Sequence, residues 1–178
     1  MMGSQPQMKV HPDFTFEIAG LFDRRLIRAF GPMGWALKSV FLEGADVTDD
    51  GVEFTPGRAV EGLQVVMTQK LTNLSGLVTD DRNRPVIDAT VVMFSANKND
   101  WRFASRYLRT SRPDIDGRYK FENMPPREDY LVIAVQNLES GQASDPEFLA
   151  RAREEAQPFT LAEGETKAVD IKLSKLVP

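Results

Sequence analysis

Alternation of apolar and polar residues dominates this chain, and that period of two constrains its fold more than any other feature. Phe14, Phe16 and Ile18 alternate with Thr15, Glu17 and Ala19. Leu63, Val65 and Met67 repeat the pattern, as do Tyr119 with Phe121, and Val169 with Ile171 and Leu173. A strand turns successive side chains to opposite faces, so these segments predict strands with one buried and one wet face. Two unbroken apolar runs, Val91-Val92-Met93-Phe94 and Leu131-Val132-Ile133-Ala134-Val135, predict central strands covered on both faces. Turn residues fall between them: Asp49-Asp50-Gly51, Pro56-Gly57, Asp80-Asp81-Arg82-Asn83, Asp116-Gly117, Pro125-Pro126 and Glu163-Gly164. Many short strands with regular turns predict an all-β antiparallel sandwich.

One segment departs from the pattern. Asp145 is a good N-cap, Pro146 suits the first helical position, and Glu147 suits the positive end of the helix dipole. Phe148, Leu149, Ala152 and Ala156 then recur three or four apart, which predicts a short surface helix over about 146–156, ended by Pro158 and covering one end of the sandwich.

The strands also repeat. Val52-Glu53-Phe54-Thr55-Pro56-Gly57 followed by Val60 to Met67 matches Gln157 to Gly164 followed by Lys167 to Leu173, and Phe14-Thr15-Phe16-Glu17 matches Tyr119-Lys120-Phe121-Glu122. Residues 12–70 therefore read as a partial sandwich unit preceding a complete one at 71–176. Nothing ahead of Phe14 matches Leu74 to Thr79 or Ala89 to Phe94, so either the chain is a piece of a longer array or its first unit is a smaller variant. Only Thr68-Gln69-Lys70 lies between the two units, without a Gly/Pro/Ser linker, which predicts a fixed orientation.

Composition closes several routes to chemistry. Among 178 residues there is no cysteine and a single histidine, His11. Thiol nucleophiles, disulfides, cysteine zinc sites and clustered-histidine metal sites are excluded. A formal net charge of -4 gives no global attraction for phosphate backbones, so nucleic acid is not an expected partner. No apolar run reaches the roughly 18 residues that cross a bilayer, and membrane insertion is not expected. Residues 1–11 read as a disordered polar tail holding His11, and the first ten residues carry neither the basic nor the apolar region of a secretory signal.

The stretch Leu74-Ser75-Gly76-Leu77-Val78-Thr79-Asp80, then Asn83-Arg84-Pro85-Val86, then Ala89-Thr90-Val91-Val92-Met93-Phe94, resembles the opening of carboxypeptidase regulatory-like domains. Asp116-Gly117-Arg118-Tyr119-Lys120-Phe121, Met124-Pro125-Pro126 and Asp129-Tyr130 resemble that family's second signature. Asn83 stands where the family has Gly, and Arg127-Glu128 stands where it has Gly after the prolines. The resemblance covers 71–176 well and 12–70 in part. It implies an immunoglobulin- or prealbumin-like sandwich, and a periplasmic, cell-surface or secreted bacterial setting.

Candidate sites are few. Asp114-Ile115-Asp116-Gly117 reads as a hairpin turn, not a calcium loop, because Arg118 and Lys120 follow where oxygen ligands would stand. Asp49-Asp50 and Asp80-Asp81 read as solvated turn residues instead of a glycosidase pair. No serine lies in a nucleophile elbow. Lys70 and Asp170 raise the isopeptide crosslink of related pilin domains, but Asp170 alternates with Val169 and Ile171 and should face outward. The plainer reading of 101–107 makes Phe103 and Tyr107 core residues of a strand, caps the sandwich with Trp101 and leaves the arginines in water; even so, the best candidate surface combines Trp101, Arg102, Phe103, Arg106 and Tyr107, since aromatics beside arginines suit sugars and protein partners. Gly34-Trp35-Ala36-Leu37 reads as core. The expected function is a non-catalytic accessory module of a larger exported bacterial protein, a rigid spacer with a protein-recognition surface for a protein partner or neighbouring domains. Carbohydrate binding at the aromatics near Trp101 is the alternative. No enzyme activity, metal or cofactor is expected.

Overall fold

The structure, a computed structural model, describes residues 7–102 and 104–176. Packing divides the chain into two compact units: residues up to Gly31 with Leu37–Met67, and Pro32–Ala36 with residues from Thr68 onward.

Among the described residues the first unit holds seven short strands: β1 (Gln7–Val10), β2 (Phe16–Ala19), β3 (Asp23–Arg25), β4 (Ala36–Leu42), β5 (Ala45–Asp46), β6 (Val52–Phe54) and β7 (Leu63–Thr68). They form three small sheets: β1 with β2, β3 with β6, and β5-β4-β7. β1, expected as tail, is thus an ordered strand; residues 1–6 of that tail lie outside the described residues. Burial is scarce, with Val40 and Val52 its fully buried apolar side chains among the described residues. Thr48 ties β4 to the following turn: Val40 N–H donates to its hydroxyl at 2.8 Å.

The second unit carries β8 (Asn73–Thr79), β9 (Thr90–Ser95), β10 (Leu108–Ser111), β11 (Arg118–Phe121), β12 (Arg127–Val135), α1 (Pro146–Glu155), β13 (Gln157–Leu161), β14 (Thr166–Ala168) and β15 (Ile171–Lys172). One sheet is antiparallel, in the order β10-β9-β12-β13. The other sets β11 antiparallel to β8, with β14 and β15 parallel to it. The expected all-β sandwich with one α-helix is present, though its second sheet is mixed.

Alternation explains the layers. Val91 and Met93 of β9, with Tyr130, Val132 and Ala134 of β12, face Leu74, Val78, Tyr119 and Phe121 across the sandwich. Val92 and Phe94, with Leu131, Ile133 and Val135, point the other way, onto Phe148, Leu149 and Ala152 of α1. The two apolar runs are therefore covered on both sides, as their composition predicts. The helix covers the outer face of the antiparallel sheet, not one end of the sandwich, because five apolar side chains there need a lid. Its start is as read: the Asp145 carboxylate accepts from Glu147 N–H at 2.9 Å, and Pro146 opens the first turn.

The sequence repeat does not carry into pairing. β6 pairs with β3 and β7 with β4, whereas the matching β13 pairs with β12, and β14 and β15 join β8. Alternation makes a strand; it does not choose the neighbour. Trp35, expected in a core, is exposed.

Candidate functional site

The surface expected at 101–107 divides in the structure. Phe103 lies outside the described residues. Trp101 is only 8% exposed. Its ring meets Phe94 edge-on, with centroids 5.9 Å apart, and its indole N–H donates to Ser95 O at 2.7 Å. A pyranose cannot stack on a ring buried under the helix layer, so the carbohydrate reading loses its platform. The physical reason is that the indole N–H finds a buried acceptor while the ring fills the gap beside α1. Arg102 is exposed, while Arg106 and Tyr107 are half-buried.

Tyr107 belongs to a brace that the sequence does not advertise. The Arg127 guanidinium lies 4.5 Å from the Tyr107 ring centroid, and that of Arg106 lies 5.6 Å from it. Arg127 Nη2 meets Asp100 Oδ2 at 2.8 Å, and Arg127 Nε donates to Asp129 Oδ1. That Asp100 oxygen is buried without a well-directed hydrogen bond, so its contact with Arg127 is Coulombic. Partial burial works against the Arg127 charge, but the Asp129 bond and the Asp100 charge outweigh it and hold its pKa above the ordinary arginine value. The same hydrogen bond holds the Asp129 carboxyl below the usual range. The sequence could offer only its centre, Arg127, because Asp100 and Tyr107 stand elsewhere along the chain.

The first unit leaves many large apolar side chains open to solvent. Phe14 is 88% exposed and Phe30 97%, with Phe22, Leu26 and Val66 also open to solvent. In the β1–β2 hairpin the register pairs Met8 with Ile18 and Val10 with Phe16. Paired residues share a face, and so do residues two apart, so these four make one apolar face. Met8 and Val10 are 68% and 56% exposed, while Phe16 and Ile18 are half-buried. Lys9 and Glu17 pair on the opposite face. His11, expected in a mobile tail, closes this hairpin: its N–H donates to Thr15 O at 2.8 Å, and its Nε2 lies 4.0 Å from Glu17 Oε1.

The other singled-out residues have local roles. Asp114 Oδ1 accepts from Asp116 N–H and Arg118 N–H, each at 2.9 Å, which makes the expected turn. It links β10 to β11 in the other sheet, so it is not a hairpin. Asp80 accepts from Arg82 N–H at 2.8 Å and Arg84 N–H at 2.9 Å, and these backbone bonds with the Arg84 side chain lower its pKa. Asn83 takes the left-handed conformation, at φ 60°, that its replacement of glycine predicts. A cleft of about 430 Å³ runs between Asp80, Asp81, Gln136, Asn137 and the Leu173–Leu176 stretch. Lys70 pairs with Glu163 at 3.5 Å, and Asp170 is exposed and accepts from Leu77 N–H at 2.8 Å. Among the described residues no three His, Cys, Asp or Glu side chains gather to hold a metal ion, and no helix is long and apolar enough to cross a membrane.

No family model matches the chain, and no curated protein matches it. Solved structures show likeness in fold. The Bacillus anthracis TIE protein is 12% identical, with 62% of this chain and 19% of that one covered and a TM-score of 0.37. The minor pilin GBS52 of Streptococcus agalactiae is 14% identical, with coverages of 72% and 61% and a TM-score of 0.37. Catechol 1,2-dioxygenase from Acinetobacter sp. ADP1 is 18% identical, with coverages of 60% and 53% and a TM-score of 0.33. The chain spans less than two thirds of each of these proteins. The dioxygenase corrects one expectation: the likenesses include an enzyme, so a sandwich of this kind does not mark the chain as lacking catalysis.

Proposed function

We propose that this chain is an interaction module of a larger exported protein. In this reading the second unit, a carboxypeptidase regulatory-like domain, is the rigid spacer, and the first unit recognises a protein partner or a neighbouring domain. The observation that supports it is the contrast in burial. The first unit buries Val40 and Val52 fully, yet leaves Phe14, Phe22, Phe30 and Met8 open to water. Single exposed apolar residues are ordinary, but several exposed aromatics in a unit with so small a core, beside the one-sided apolar face of β1–β2, fit a unit that a protein covers. An extracytoplasmic setting goes with this reading through the resemblance of 71–176.

A photo-crosslinking amino acid placed at Phe14 or Phe30, and separately at exposed Ile115 of the second unit, tests the idea in cells that make the full parent protein. Adducts with another protein or domain from Phe14 and Phe30, but not from Ile115, are the expected result. Equal adducts from all three positions, or none from the first unit, would sink it.

A further inference from the structure

The free edge of the β1–β2 hairpin identifies the kind of partner. His11 N–H donates to Thr15 O, so that pair is hydrogen-bonded across the ribbon. Bonded pairs alternate along an antiparallel ladder, which makes Lys9 with Glu17 the next bonded pair. The N–H and C=O groups of Met8 and Val10 therefore point away from β2, along an edge where no other strand pairs among the described residues. The side chains of the same two residues lie on the apolar face and are the most exposed part of it. This edge presents four main-chain groups and two apolar side chains in the spacing that an added strand needs.

The inner edge of β1 shows which pattern it accepts. It pairs with Phe16-Glu17-Ile18, putting apolar residues beside Val10 and Met8 and an acid beside Lys9. We propose that the outer edge of β1 takes an extended segment of a protein partner with the same order, apolar–acidic–apolar. This rests on reading the first unit as the recognition surface. A second copy of this chain fits less well. Pairing β1 with its own copy through all four outward groups sets Lys9 against Lys9, and like charges directly opposite are destabilising. Pairing it with the outer edge of a copy's β2 uses Phe16 and Ile18, whose side chains are already half-covered.

The test uses the whole chain and a fluorescent peptide carrying the sequence of residues 14–20, followed by anisotropy. Val10→Pro removes one outward N–H and leaves the bonded pairs of the hairpin in place, since proline is tolerated on a free edge. Saturable binding by the unaltered chain is expected, weakened about three- to tenfold by Val10→Pro with an unchanged thermal midpoint. A peptide with lysine in place of its glutamate should bind several-fold more weakly, and this arm does not depend on any variant folding. No saturable binding, or indifference to both changes, would overturn the proposal. So would sedimentation showing a dimer that Val10→Pro dissolves, because the occupant would then be a second copy. Crosslinks from Phe30 that persist while the peptide fails to bind would leave the interaction reading standing and remove only the edge.

Discussion

Gly76 lies where β8 passes the break between β14 and β15, which keep one register along it, and a Cβ added there would sit 1.9 Å from Val169 O. The same carbonyl accepts the buried Tyr119 hydroxyl at 2.6 Å, while the Asp170 carboxylate takes the Leu77 N–H beside it. A break in the ladder that turns one carbonyl to a side-chain donor thus depends on a missing side chain and a buried phenol. Gly76→Ala should cost at least about 3 kcal/mol, because backbone, not a flexible side-chain end, must move. For a unit of this size that lowers Tm by more than about 10 °C, which calorimetry would read; an unchanged midpoint would refute the packing argument. Tyr119→Phe should cost about 1–3 kcal/mol by stranding the Val169 carbonyl. Burial pushes the Tyr119 hydroxyl well above the ordinary tyrosine range, and burial does the same for Tyr130. A raised pKa in the folded state means that stability is whole below the unfolded value of about 10 and is lost as pH climbs past it. Denaturant midpoints should therefore fall above about pH 10, and less steeply in Tyr119→Phe; a flat profile there would contradict the burial of both phenols.

Helix α1 shows what patterning can and cannot specify. Its cap, its first proline and its apolar spacing were legible, as were the doubly buried runs of β9 and β12. The layer it covers was not, because a three- or four-residue spacing says that a face is buried and not against which sheet. What Trp101 packs on was not legible for a related reason: the acceptor for its indole N–H is a main-chain carbonyl that no side-chain pattern reveals. The Arg127 brace was illegible because Asp100 and Tyr107 come from other parts of the chain. Phe148 fills the layer between α1 and the sheet, so Phe148→Ala should cost about 3–5 kcal/mol and shift Trp101 fluorescence to the red. Asp145→Ala, which removes only the cap, should cost about 1 kcal/mol and leave that emission in place. Matching red shifts in both variants would show that the helix docks through its end and not its face. Acid tests the brace. Asp129 is held below its ordinary pKa, so its contribution is present above about pH 4 and is lost as pH falls through the depressed value. Exchange of the Trp101 indole proton should accelerate over that window, relative to a deep amide such as Val132; parallel behaviour of the two would deny Arg127 a role in holding the 97–107 segment.

At the scale of the molecule, the two units are built on different amounts of core. The second has two apolar clusters, one between its sheets and one under α1. Among its described residues the first distributes seven short strands over three sheets and encloses two apolar side chains fully. An isolated two-stranded hairpin is marginal in water, so β1–β2 has little of its own to resist opening. Unfolding should then depart from a single cooperative step, with the first unit opening at lower free energy. Native-state hydrogen exchange would resolve this: amides of β1, β2 and β7 should exchange at much lower denaturant than those of β9 and β12. A partner strand on the edge of β1 stabilises only the state it binds, so saturating peptide should slow exchange at Lys9 and Glu17 and leave β9 unmoved. Uniform protection across both units would mean that the first unit draws its stability from somewhere other than its own sparse core, and its exposed aromatics would then need no partner to account for them.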